Sequence, residues 1–179
     1  MYRRQEILFS KTMLLGAAAG MSGAWAMVQF TRLWNKVFAR PQSRKPLPLP
    51  YSQQEWNATS TIAESVASSV LGRHLTAREK RAGAIIVHYA VGSAAGAFYA
   101  VSARHSTAIT RCSGALFGLA IWLLENNLLL PLAGMSARHN RYSLLDHANS
   151  LGEHLIFAVT TDALYRCANS RQQSKPAIS

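Results

Sequence analysis

The chain has 179 residues, 49% of them hydrophobic, and carries 19 Lys and Arg against 8 Asp and Glu for a formal charge of +11. That apolar content suffices for a sizeable core and excludes disorder throughout, while the positive balance calls for an anionic partner, either nucleic acid or the headgroups of an acidic leaflet. The 2 cysteines, Cys112 and Cys167, with no CxxC pattern exclude a disulfide-rich scaffold and a zinc module and leave at most a single bridge.

In chain order, the first element is Thr12 to Thr31, an uncharged run between Lys11 and Arg32. A bilayer core takes about 20 helical residues, so the run predicts a transmembrane helix over 12–31. Arg3, Arg4 and Lys11 followed by Ala24-Trp25-Ala26 also read as a secretory signal, but the apolar run continues through Val28 and Phe30, as an anchoring helix does. Residues 32–81 form a long hydrophilic loop. It opens basic (Arg32, Lys36, Arg40, Arg44, Lys45) and reaches Pro46, Pro48 and Pro50, whose PxPxP register fits a stiff spacer better than a PxxP ligand. Trp56, Ala63, Val66 and Val70 then recur at helical spacing and predict a short helix, either on the membrane surface or, the preferred reading, packed over the other helices.

Thr76 and Glu79 make a T-x-x-E capping box ahead of Ala82 to Ala103, where His88 alone is ionisable, and a second span is expected over 82–103. The third, expected over 112–133, is apolar except for Glu125, Asn126 and Asn127, with Pro131 kinking its end and Gly134 closing it. A fourth, over 147–167, follows an S-x-x-D cap at Ser143 and Asp146, and its His147, Glu153, His154 and Asp162 make it the least apolar. No segment alternates like a strand. The expected architecture is therefore a single all-α membrane domain over 1–179: a polytopic four-helix transmembrane bundle with a long hydrophilic first loop.

Gly16 and Gly20, Gly92 and Gly96, and Gly114 and Gly118 are three GxxxG pairs, one in each of the first three apolar runs. Lipid gives helices no hydrophobic drive to associate, so close backbone approach at small residues has to supply it; helix packing within the chain is the reading, with a homo-oligomer through one stripe as its competitor. Helical phase turns His88 toward the Gly92–Gly96 side and Glu125 toward the Gly114–Gly118 side, while His154 and Glu153 occupy adjoining faces of the fourth helix.

Such groups at membrane depth point to a functional site with partners. Four uses compete. His88, Glu125, Asn126, Asn127, Glu153 and His154 can satisfy one another as interhelical hydrogen bonds; this is preferred. They can instead relay a proton or ion. His88 with His154 could ligate a haem iron, and with Glu125 and Glu153 a metal, although neither CxxCH nor ExxH spacing occurs. No cofactor is expected, and with no GxSxG, P-loop or Cys/His motif, no enzymatic activity either.

The basic residues flank the apolar runs instead of forming one face, which favours the lipid bilayer and anionic lipids as partners over nucleic acid. More of them fall in the first and third loops than at the termini and second loop, favouring a cytoplasmic first loop.

The succession His88-x3-Gly92-x3-Gly96-x2-Tyr99, Gly114-x3-Gly118, Pro131-Leu132-Ala133-Gly134-Met135 and Gly152-Glu153-His154-Leu155, after a first span that runs into a basic, proline-containing segment, resembles the YagU-type family of small bacterial inner-membrane proteins. The resemblance implies a multi-pass protein of the bacterial inner membrane with no established enzymatic activity. The expected function is a non-enzymatic role in envelope maintenance or stress adaptation through helix packing. A small proton- or ion-conducting protein is the alternative, and a haem- or metal-binding membrane subunit the second.

Overall fold

The computed structural model describes residues 2–38, 53–125 and 144–173, among which there are α-helices and no strand. Helix α1 is Tyr2–Phe38, α2 Gln53–Leu71 and α3 Ala77–His105; a short 3-10 turn, Arg111–Gly114, leads into α4, Ala115–Leu124, and α5 is Leu144–Gln173.

Helix α1 overruns the expected 12–31 at both ends. No Pro interrupts the chain before Pro41, and the charged flanks carry residues of good helix propensity. Its 37 residues are about 55 Å long, well beyond a hydrocarbon core of about 30 Å. Helix α2 ends at Gly72, whose φ of +64° gives a left-handed cap and whose N–H bonds Ser68 C=O at 3.1 Å. Helix α3 begins on the capping box: Thr76 N–H donates to Glu79 Oε2 at 2.9 Å and Glu79 N–H to Thr76 Oγ1 at 3.4 Å.

Helix α4 begins later than the expected residue 112. Cys112 (φ +52°), Ser113 (φ +54°) and Gly114 (φ +78°) are successively left-handed, and a right-handed helix starts only beyond them. For Cys112 and Ser113 that conformation costs about 1–2 kcal/mol per residue. The expected continuation of this helix through Pro131, with Asn126, Asn127 and Gly134, lies outside the described residues, as do the proline spacer at Pro46, Pro48 and Pro50 and the Ser143 cap.

The helices meet through glycine. Helix α1 runs antiparallel to α3: a Cβ on Gly20 would stand 2.7 Å from Gly96 Cα, one on Gly16 2.5 Å from Gly96 O, and one on Gly92 2.7 Å from Ala24 Cβ. Only hydrogen fits between those backbones. Helix α5 crosses the other side of α1, where Gly23 faces Thr161 and Phe157, and Phe30 covers Gly152. Helix α4 lies antiparallel on α5, with a Cβ on Gly118 2.5 Å from His154 O. Tyr99 fills the space between α3, α4 and α5, its ring 5.0 Å from Phe117 and edge-on to Tyr165 at 6.2 Å. Helix α2 packs Thr59, Ser60, Ala63 and Ala67 inward, and Ala63 Cβ sits 2.9 Å from where a Cβ on Gly83 would be.

Two helices are long and apolar enough to cross a membrane by length and composition, over Glu6–Phe38 and Ala77–His105; the stretch Arg111–Leu124 is apolar but shorter.

Candidate functional site: polar contacts buried between helices

Polar side chains occupy the interior of this bundle. Asn149, Ser150, Glu153, His154, Thr161 and Asp162 on α5 are all buried, with Thr12 and Thr31 on α1 and His88 on α3. Burying a polar group without a partner costs several kcal/mol, which favours a partner across an interface. Several find one, in separate places, while Thr161 Oγ1 is buried without a hydrogen-bond partner among the described residues.

Between α1 and α5, Glu153, 2% exposed, accepts from Thr31 Oγ1 and, at 3.1 Å, from Asn149 Nδ2. Thr31 Oγ1 also lies 3.1 Å from Met27 O, so its single hydrogen is shared between that carbonyl and Glu153.

Between α4 and α5, His154 Nε2 is 2.6 Å from Glu125 Oε2, and its Nδ1 is 2.8 Å from Ser150 O. A carbonyl only accepts, so Nδ1 carries a hydrogen. Nε2 and the carboxylate therefore share one further proton, as imidazolium against carboxylate or as imidazole against carboxylic acid. Here a His and a carboxylate meet inside the bundle.

Between α3, α5 and the turn before α4, Tyr99 OH donates to Asp162 Oδ1, and Arg166 Nε donates to the same oxygen at 2.6 Å. Arg166 Nη2 continues to Thr110 O at 2.6 Å. Tyr99, fully buried, and Asp162 thereby bind three chain segments through one carboxylate.

His88 bonds across the interface of α3 with α1. Its Nε2 lies 3.0 Å from Ala24 O, so it donates to the α1 backbone beside the glycine seam, and its ring meets Tyr89 edge-on at 5.2 Å. The structure thus brings together Glu125 with His154, and Glu153 with Asn149 and Thr31, and it sets His88 against Ala24 O. Asn126 and Asn127 lie outside the described residues. Among the described residues, no group of three or more His, Cys, Asp or Glu could hold a metal ion. The two expected haem ligands, His88 and His154, each engage a different helix interface.

Sequence reasoning missed Thr31, Tyr99 and Thr110 as partners. Tyr99 and Asp162 are far apart in sequence, and nothing local links them. Thr31 carried a faint signal as a hydroxyl closing an apolar run.

The fold and its buried contacts define an all-α protein whose helices are fastened by glycine seams and by polar pairs in the interior. The chain belongs to the DUF1440 family, described as proteins of unknown function, which it matches over residues 50–163. That membership is consistent with the YagU-type resemblance of the sequence. The match takes in α2, α3, α4 and most of α5. No curated protein and no solved structure matches the chain.

Proposed function

We propose that this chain is a multi-pass protein of the bacterial inner membrane, with α1, α3, α4 and α5 embedded as a four-helix bundle, and that it supports the envelope non-enzymatically through helix packing. One observation carries the reading: the polarity of the bundle is inverted. Glu153, His154, Asp162 and Thr161 are inside, while large apolar side chains point outward on every helix, with Leu14 70% and Phe98 64% exposed. In the most apolar windows of α1 and α3 only 39% and 33% of residues are buried, whereas a core helix of a water-soluble protein would be mostly covered. Hydrocarbon is the solvent that suits such a surface.

The distribution of polar contacts supports fastening over transport. Glu153 and Asp162 lie nine residues apart, about 13 Å along α5 and half a turn round it. Buried Phe157 and Ala158 fill the interval, so the two polar levels are separated by an apolar layer.

The test is reconstitution of the full chain into liposomes after alkaline-carbonate washing of membranes. Expected is a carbonate-resistant protein that adds no proton flux to the liposomes; recovery in the washed supernatant would sink the membrane reading. The Glu125–His154 pair favours a second reading, a proton-conducting element. A flux abolished by Glu125→Gln would replace the first reading with the second.

A further inference from the structure

We infer that the end of the bundle where α1 begins and α3 and α5 finish holds the phosphate of an anionic phospholipid through Lys11, Arg104 and Arg111. The inference rests on the membrane reading above and adds to it a defined lipid site.

Hydrogen bonds fix the level of these cations. Arg104 Nη1 donates to Thr12 Oγ1 at 2.7 Å, and Thr12 Oγ1 in turn lies 2.9 Å from Leu8 O, so the guanidinium at the end of α3 is tied to α1. Arg166 Nη2 reaches Thr110 O. Tyr99 and Asp162 meet across the parallel helices α3 and α5. Arg104 comes five residues after Tyr99 and Arg166 four after Asp162, rises of about 7 Å and 6 Å in the same direction, which sets both at one height. Lys11 adjoins Thr12, and Arg111 adjoins Thr110. Their backbone positions put the four cations at one end of the bundle.

Their charge balance singles out three. Asp162 neutralises Arg166. Lys11, Arg104 and Arg111 are exposed, and no carboxylate among the described residues lies within ion-pair distance of them; Glu6, also exposed, is five residues before Lys11, and His105 adjoins Arg104. At the opposite end Glu79 takes Arg73 at 2.6 Å and Glu64 takes Lys80 at 3.1 Å, while Arg78 and Arg81 are exposed.

Guanidinium heads suit a phosphodiester, which accepts two parallel N–H bonds, and Thr12 already limits the freedom of Arg104. Directly beneath these cations, Leu14 on α1, Phe98 on α3 and Leu116 on α4 point outward, where acyl chains below a bound headgroup would run. Above them α1 continues with Ile7, Leu8 and Phe9 exposed.

The test uses the full chain in liposomes of mixed phosphatidylglycerol and phosphatidylcholine, with a spin label on one lipid at a time, and reads the motionally restricted fraction of each. Phosphatidylglycerol should be preferred. The preference should fall by about fivefold per cation removed in Arg104→Gln with Arg111→Gln. It should fall less in Arg104→Lys, which keeps the charge but not the two parallel N–H bonds, and should survive in Arg78→Gln with Arg81→Gln at the other end. Three results would overturn the site: a preference unchanged in the Arg104/Arg111 variant, an equal loss in the Arg78/Arg81 variant, or displacement of the lipid by millimolar inorganic phosphate, which would assign the cations to a soluble anion. A chain that restricts neither lipid fails earlier, at the membrane reading itself.

Discussion

Asp162 receives Tyr99 OH and Arg166 Nε on the same oxygen while its side chain is almost wholly shielded from solvent. Its two donors are unequal. Removing the phenol leaves the carboxylate one charge-assisted bond, so Tyr99→Phe should lower stability by about 1 kcal/mol. Removing the guanidinium leaves a buried charge against a neutral donor and also frees the Thr110 carbonyl, so Arg166→Ala should cost about 2 kcal/mol or more. Thermal unfolding of both variants in the same detergent checks the order; a Tyr99→Phe variant that loses more than Arg166→Ala contradicts it. At Glu64 the argument concerns pH. His74 first, and then Lys80, hold its carboxyl below the ordinary value of 4.5. A depressed folded value means that its contribution is complete above 4.5 and disappears as pH falls through the lowered one. The hold of α2 on α3 should therefore loosen only in acid. Hydrogen exchange of α2 amides, corrected for intrinsic rates, should rise there in the native chain. In Glu64→Gln it should already be raised at neutral pH, and identical profiles for the two chains would disprove the role.

At the scale of the helix, the seam between α1 and α3 has no room for a side chain. A Cβ on Gly96 would come within 2.5 Å of Gly20 Cα, and that neighbour is backbone, which cannot swing aside. Gly96→Val should therefore separate the helices at a cost of at least about 1–3 kcal/mol, the usual range for overpacking, and should break the His88–Ala24 bond about two turns away along α3. Loss of protection at Ala24 to Val28 in hydrogen exchange would record it; unchanged protection would mean that the seam is looser than these distances.

The GxxxG spacings in the sequence marked Gly16, Gly20, Gly92 and Gly96, because a small residue four positions from another leaves a flat strip whatever surrounds it. Helix start signals were as local: the Thr76–Glu79 box needs four residues and no tertiary contact. What the sequence could not disclose was the left-handed run at Cys112, Ser113 and Gly114. Cys and Ser do not favour that conformation, and the Arg166–Thr110 bond beside them depends on a helix that comes much later in the chain. The pairing of polar residues was legible only in part for the same reason. Helical phase turned Glu125 and His154 inward, and they meet; it also turned His88 inward, but which neighbour it meets depends on the antiparallel register of α1.

For the whole molecule the decisive property is the sign of the surface. A lysine placed on the outside of a water-soluble bundle is nearly neutral and commonly improves solubility. The same lysine facing hydrocarbon costs about 2.5–3.5 kcal/mol at mid-membrane on insertion scales and less toward the headgroups, where Phe98 lies, so the cost there falls below that range. Phe98 is the position to use, since it is largely exposed, lies within the apolar part of α3 and makes no polar contact, and its stacking on Phe117 at 6.3 Å is peripheral. Phe98→Lys should reduce the membrane-inserted yield, whereas Phe98→Leu, which removes the same ring and adds no charge, should not. Quantifying carbonate-resistant protein for the two variants separates lost packing from lost hydrophobicity. If Phe98→Lys instead gave more protein, and gave it in the aqueous fraction, the apolar exterior would belong to an interface between protein surfaces, and the interior polar pairs would have to be reinterpreted as those of a bundle that dissolves in water.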